Sequence, residues 1–480
     1  MPAKFELPAQ WHFACLFIIL AVSAYLRFKG LVFQSYWNDE LATIVLADPD
    51  RSLFDVIYSS LQDKSPPLYQ SILWDWFRLF GFTEYAGRSL SAIAGTLAIP
   101  AMYFMAREYT DRETALYATI ITGLNTYLIF YSQEVRAYSF FFLEAILAML
   151  FLSRLARDGH VINLLFFSFF TICLVSTHYY GLLLYMAMFG FLVFFKSFSN
   201  KFCNLPDRYL YINEALTLLF LMPVIPFIII NALDDSVWIK TPRPDFMVSF
   251  FTGYFGSTLI SSLYAILFFI GLVFIFRQKK PHRRDMAWLA LFILFFNYLL
   301  PYFRSLVATP MLINRYTIGA LPFVILIIAA GLTGLKYKKL KLFLTVLLVF
   351  LNVKFLFYDQ GYYSSVKKQQ FREVIQRIIA SGKTAPIFSC DDERAQAYFK
   401  MLGHPARVFD EDRLFIQLAK NSPPERFWYI GSTCCGCQDS TEKINHYGDS
   451  GRFKMLDRLD RKRAFVYLLS SRELPAVPDR

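Results

Sequence analysis

YWNDELATIVLADPDRSLFDVIYSSLQDKSPPLY, residues 36–69, follows an apolar run long enough to cross a bilayer, Trp11 to Phe28. Its charges therefore belong at a membrane surface and not in a soluble core. The stretch opens on the carboxylate pair Asp39-Glu40 and closes on Asp63-Lys64 ahead of Pro66-Pro67. Adjacent carboxylates, a lysine and two prolines between spans mark a site more than a spacer. On this reading the other apolar helices build the walls and roof of the site, and the fold is helical and polytopic.

The composition agrees. Hydrophobic residues are 56% and charged residues 18%, and mean hydropathy is +0.39, all displaced from soluble norms towards membrane proteins. Apolar runs recur at 11–31, 88–107, 113–131, 134–154, 161–178, 180–196, 209–231, 257–276, 286–303, 315–334 and 340–357. That predicts about eleven transmembrane helices. The first run lacks a small-residue cleavage pattern, so it is expected to be retained as a span.

The formal charge of +12 raises the question of nucleic acid. From Tyr358 onward there are 20 basic and 16 acidic residues, leaving 29 and 21 before it. Much of the excess therefore sits in short connections between spans, the pattern that orients a membrane protein, and no nucleic-acid partner is expected. Placing SRLARDGH, KSFSNKF, RQKKPHRR, KYKKLK and the mixed-charge REYTDRET in the cytoplasm puts the N-terminus inside. The segments YWNDE to SPPLY, YSQEVRAYS, STHYY, DDSVWIKTPRPDF and PYFRSLVATPMLINRY then fall on the extracytoplasmic face. Every motif with chemical character lies in that second set.

Within the first loop, 32–87, residues 39–47 and 52–61 read as short amphipathic helices. Pro66 is placed at N1 of a third that runs to Gly81, with Trp74, Trp76, Phe77 and Phe80 suited to the interface plane. After residue 357 ordinary soluble patterning begins. SVKKQQFREVIQRIIASG reads as an amphipathic helix ending at Gly382, and APIFS, RFWYIG and RAFVYLLSS as strands. The division is thus a transmembrane domain, 1–357, and a small α/β domain, 358–480, which an odd number of crossings places outside the cytoplasm.

Each motif carries two readings. Asp39-Glu40 is either a helix N-terminal pair or general-base chemistry at a water-poor interface. Lys64 is either a solvated residue of an interfacial turn or a point charge for a phosphate beside a helix N-terminus. In Tyr131-Ser132-Gln133-Glu134-Val135-Arg136-Ala137-Tyr138, Arg136 either snorkels or faces a cavity, oriented by Glu134, and binds an anionic headgroup. His178 is either hydrogen-bonded structure or a contact to sugar or phosphate. Arg315, followed by Tyr316, either anchors a span or holds a phosphate at the membrane face. Cys15, Cys173 and Cys203 read as inert. Cys390, Cys434, Cys435 and Cys437 read as disulfide or free thiols, with a zinc site shared with His446 as the less favoured alternative. No HxxH or HxH pair supports a metal site.

Taken together, the acidic pair after the first span, the KSPPLY element, YSQEVRAY, THYY and the late Arg315-Tyr316 resemble bacterial glycosyltransferases of the dolichyl-phosphate-mannose protein mannosyltransferase superfamily. That group includes the aminoarabinose transferase acting on lipid A. The resemblance covers residues 10–357, and one departure is Ser65 standing between Lys64 and Pro66-Pro67. It implies the GT-C fold, a polyprenyl-phosphate sugar donor, a lipid, glycan or protein acceptor, and sugar transfer outside the cytoplasm of a bacterial inner membrane. By match, Asp39 takes the catalytic aspartate position with Glu40 its neighbour, though which of the two is the base stays open. Lys64, Arg136, Arg315 and Tyr316 fall to the donor phosphate, and Tyr69, Tyr131, Glu134, Tyr138 and His178 to substrate binding. A lipid phosphate leaves as a stable anion, so cationic groups serve it and no cofactor or divalent metal is expected. The rival classes are a transporter or lipid flippase, and a non-catalytic scaffold. Against transport stand the clustering of charged motifs at one face and the absence of repeated halves.

Overall fold

The computed structural model describes residues 9–63, 65–199, 206–222, 224–233, 239–278, 281–382, 384–419, 424–432, 444 and 453–471. The chain forms two compact units. One comprises Met1–Lys29, Ser52–Leu73 and Arg88–Gly361, the other Gly30–Arg51, Trp74–Gly87 and Tyr362–Arg480.

The first unit is helical. Among the described residues six helices are long and apolar enough to cross a membrane: Glu84–Tyr109, Tyr138–Asp158, Thr258–Phe276, Ala287–Val307, Tyr316–Gly334 and Lys338–Asp359. Four shorter apolar helices are His12–Phe28, Val161–Thr177, Tyr180–Phe194 and Phe246–Phe255. At the centre lies Leu321–Gly334, LPFVILIIAAGLTG, apolar all round and buried from Leu321 through Leu332. Lys338–Lys354 is the opposite case, turning Leu342, Phe343, Val346 and Phe350 outward, as a lipid-facing helix does. Two glycines let the central helix approach Thr258–Phe276 closely. A Cβ on Gly271 would stand 1.9 Å from the Ile327 carbonyl, and one on Gly331 would stand 2.0 Å from that of Leu267.

Three expectations for this unit are corrected. Residues 113–131 are not one continuous helix but two, Arg112–Leu124 and Thr126–Ser132. Asn125 breaks the run by capping the second helix, its side chain accepting from the Leu128 N–H at 2.9 Å. Residues 209–231 likewise divide into Asp207–Leu221 and Ile225–Leu233. The helix expected from Pro66 starts at Leu68, with the Pro67 carbonyl accepting from the Ser71 N–H and hydroxyl.

The second unit is built on a five-stranded sheet: β1 (Ile387–Ser389), β2 (Val408–Asp410), β3 (Arg426–Ser432), β4 (Phe453–Arg461) and β5 (Ala464–Ser471), in the order β2-β1-β3-β5-β4. β1 is parallel to β2 and β3, and β5 is antiparallel to β3 and β4. Phe388, Phe427, Tyr429, Phe465, Tyr467 and Leu469 form the core on one face. Trp428, Ile430, Val466 and Leu468 are buried on the other, the mark of a sheet covered on both sides.

Helix Phe371–Ser381 packs on β4 and β5 and ends at Gly382 in the left-handed region. It starts later than the sequence suggests because its buried stripe is Phe371, Val374, Ile375 and Ile378. Residues 365–370, with no such stripe, stay non-helical. Helix Asn38–Leu46 packs on helix Asp392–Met401, so the acidic element that follows the first span is part of this α/β unit.

Candidate active site

In the first unit the site is built where the chain turns between helices Thr126–Ser132 and Tyr138–Asp158. Gln133 sits in this turn, and its amide donates to the carbonyls of Leu26, Arg27 and Lys29 at 3.1, 3.0 and 2.8 Å. These are carbonyls that the end of the first helix leaves without an internal partner. Arg27 is 1% exposed. Its guanidinium donates to the Thr122 and Gly123 carbonyls at 3.2 and 3.0 Å, a cation at the negative end of helix Arg112–Leu124. The motif read from the sequence includes Gln133 without giving it a role, and Arg27 falls outside every motif. The available signal was an arginine inside an apolar span, which is rare unless it is held internally.

The turn carries Glu134, fully buried, and half-buried Arg136 towards Tyr138. The Arg136 guanidinium lies 5.8 Å from the centre of the Tyr138 ring, and that of Arg315 lies 6.0 Å from it. Arg315 also stands 5.8 Å from the Tyr316 ring. These are separations at which an aromatic face attracts a cation. Tyr131 meets Tyr138 and Tyr127 edge-on, each at 4.7 Å.

His178 stacks on Phe141 at 5.0 Å and meets Tyr316 edge-on at 4.9 Å. Its Nδ1 accepts from the Tyr180 N–H at 3.1 Å, which leaves Nε2 to carry the proton. Tyr69 is fully buried and shares a 3.0 Å hydrogen bond with Ser91, whose hydroxyl donates to the Arg136 carbonyl at 3.4 Å. The first unit thus gathers Tyr131, Arg136, His178 and Arg315 around the Tyr138 ring, with Tyr316 against His178 and Arg315, Glu134 in the same turn, and Tyr69 linked to the Arg136 carbonyl by two hydrogen bonds through Ser91. Lys64 lies outside the described residues.

The second unit holds the acidic pair at the start of helix Asn38–Leu46. Glu40 is fully buried, 3.0 Å from the Lys368 ammonium, and its carboxylate also accepts from the Trp37 N–H at 3.4 Å. Removing either member of such a buried pair strands a charge, at a cost of about 3–5 kcal/mol. Asp39 is half-buried. Its neighbour Asn38 donates its backbone N–H to Gln369 at 2.8 Å and accepts from Arg394 at 2.7 Å. Arg394 in turn holds Asp391 at 2.6 Å. Of the two carboxylates, then, Glu40 is committed to the interior and Asp39 is the more accessible.

Among the described residues no group of three His, Cys, Asp or Glu is disposed to hold a metal. Cys390 is disulfide-bonded, whereas Cys434, Cys435, Cys437 and His446 lie outside the described residues.

Residues 64–229 match the family described as dolichyl-phosphate-mannose-protein mannosyltransferase. In three dimensions the chain is similar to ArnT from Cupriavidus metallidurans bound to undecaprenyl phosphate. The TM-score is 0.59 at 12% identity, over 96% of this chain and 97% of that one. The apo form of that protein gives 0.63 at 12% identity, over 96% and 98%. The fold is GT-C. The archaeal oligosaccharyltransferase AglB from Archaeoglobus fulgidus, in complex with an inhibitory peptide and a dolichol-phosphate, aligns with this GT-C chain at TM-score 0.53 and 11% identity, over 97% and 75%. No curated protein sequence matches it significantly. The family match thus covers residues 64–229, and the likeness of fold extends over nearly the whole chain.

Proposed function

We propose that this protein is an integral-membrane glycosyltransferase that moves a sugar from a polyprenyl-phosphate donor to an acceptor hydroxyl at the extracytoplasmic face. The observation that carries the reading is the convergence of Arg136 and Arg315 on Tyr138 inside a GT-C helical unit. Two half-buried guanidiniums beside one aromatic ring suit a phosphate, which they can engage by paired hydrogen bonds. The relatives solved with undecaprenyl phosphate and dolichol-phosphate support a lipid-phosphate donor.

Asp39 takes the proton of the acceptor hydroxyl as its oxygen attacks the anomeric carbon. The bond from that carbon to the phosphate oxygen breaks, and the lipid phosphate leaves with the electron pair. Arg136 and Arg315, with Lys64, stabilise the charge that grows on it, which in a low-dielectric site is often the largest catalytic effect. Glu40 holds the helix that bears Asp39 and is not the base, because its carboxylate is paired with Lys368. Tyr131, Tyr138, Tyr316 and His178 supply aromatic walls for sugar and phosphate.

The test begins with mass spectrometry of glycolipids and envelope glycans from cells with and without the gene, which identifies the product. Asp39→Asn should then lower its formation by about 10²–10⁴-fold while binding of undecaprenyl phosphate to the purified protein persists. Arg136→Ala and Arg315→Ala should weaken that binding as well as transfer. Full transfer by Asp39→Asn would remove Asp39 as the base.

A further inference from the structure

We infer that Lys368, on the far side of the sequence from the catalytic loop, is a positioning residue for Asp39. The inference rests on the proposed role of Asp39 as base.

Its physical basis lies wholly within the second unit. Residues 34–38 and 365–372 are zipped together by reciprocal hydrogen bonds. The Gln34 side chain accepts from the Lys367 and Lys368 N–H groups at 3.0 and 3.3 Å and donates to the Ser365 carbonyl at 2.9 Å. Ser35 accepts from the Arg372 N–H at 3.0 Å, and Gln369 accepts from the Asn38 N–H at 2.8 Å. At the middle of this seam the Lys368 ammonium reaches Glu40 at 3.0 Å, with side chains 6% and 0% exposed.

Glu40 also accepts from the Trp37 N–H, one of the donors that a helix start leaves without an internal partner. Through this single carboxylate, Lys368 fixes both the entry angle of helix Asn38–Leu46 and the rotation of its first turn. Asp39 belongs to that turn and points where the turn allows. Charge removal at Lys368 would take from buried Glu40 the ammonium that stands 3.0 Å away. The carboxylate would then take up a proton or swing outward, and either response releases the first turn. Lys368 need not touch substrate to do this; it acts through Glu40.

The test uses the full chain in membranes, with the product identified from gene-deleted cells as the activity readout. Undecaprenyl phosphate serves as the binding probe. Lys368→Met should lower product formation about tenfold or more, within the range of coupling between residues in direct contact, and should leave undecaprenyl phosphate binding unchanged. The double variant Lys368→Met with Glu40→Gln removes both buried charges and should recover most of the loss. Lys368→Arg should retain transfer. If Lys368→Met does not accumulate, the double variant and Lys368→Arg carry the comparison.

Wild-type turnover in Lys368→Met would overturn the inference. So would a loss that the double variant fails to recover while folded and binding the probe. Asp39→Asn, run in parallel, reports on the base itself. Full activity there removes Asp39 as the base and the positioning role with it, whereas an inactive Asp39→Asn beside a fully active Lys368→Met removes only the positioning role.

Discussion

Asp391 faces two opposing influences beside the acidic loop. Burial raises its pKa above the usual carboxylate value, while Arg394, bonded to it at 2.6 Å, pulls it down; burial prevails. A folded-state pKa above the unfolded one means that the native protein holds the extra proton between the two values. The stability this group contributes is therefore full below its unfolded pKa of 3.8 and is lost as pH rises through the folded value. Thermal unfolding of wild type and Asp391→Asn in detergent across the acid range should show the wild-type advantage shrinking as pH rises. An advantage growing with pH would mean that the Arg394 pair outweighs burial. At this scale the sequence was a partial guide. Asp39, Glu40, Arg136 and Arg315 stood out because charge is conspicuous beside apolar runs. Lys368 did not, because a lysine in a polar stretch before an amphipathic helix looks solvated until the chain folds back over 328 residues.

Elements were legible where burial is one-sided or complete. The central helix Leu321–Gly334 and the strands β3 and β5 announce themselves as continuous apolar runs. Strand β4 does not: FKMLDRLDR is an outer strand with most residues exposed, and its charges, useful against edge-to-edge pairing, hide it in a hydropathy reading. β2, three residues long, carries too little pattern. Asn125 was missed because one polar residue in an apolar run is ordinarily tolerated, whereas here it both caps a new helix and donates to the Tyr254 carbonyl at 2.8 Å. The reciprocal Gly271 and Gly331 contact yields a prediction for elements. Gly331→Val would push a side chain into the Leu267 carbonyl, which as helix backbone has little room to give. We expect a stability loss of about 3 kcal/mol, the upper end of the usual cost of overpacking, read as a lower melting temperature in detergent or failure to accumulate. A wild-type melting temperature would mean that the two helices part easily.

For the whole molecule, the sequence-based topology can be set against the composition of the units. Lys and Arg counts lead us to expect loop 32–87 outside the cytoplasm, and a count of about eleven crossings leads us to expect residues 358–480 there too. The second unit draws on both, since it comprises Gly30–Arg51, Trp74–Gly87 and Tyr362–Arg480, and polar segments that fold together are expected on the same side of a membrane. We therefore expect alkaline phosphatase fused after Arg480 to be active. A cysteine at Lys339 should be shielded from a membrane-impermeant maleimide in intact cells, and labelling there would reverse the orientation. A division read along the chain at 357 cannot anticipate such sharing, because hydropathy reports where a segment leaves the bilayer and not which later segment it will join.

That sharing has a consequence for biogenesis. Glu40 leaves the ribosome 328 residues before Lys368, a delay of roughly 15–65 s at about 5–20 residues per second. Over that interval most of the membrane helices are made, while the nascent acidic loop waits without the lysine that will hold it. A segment translated late thus completes one translated early, and a polypeptide truncated after Gly361 would insert its helices and still lack a finished loop.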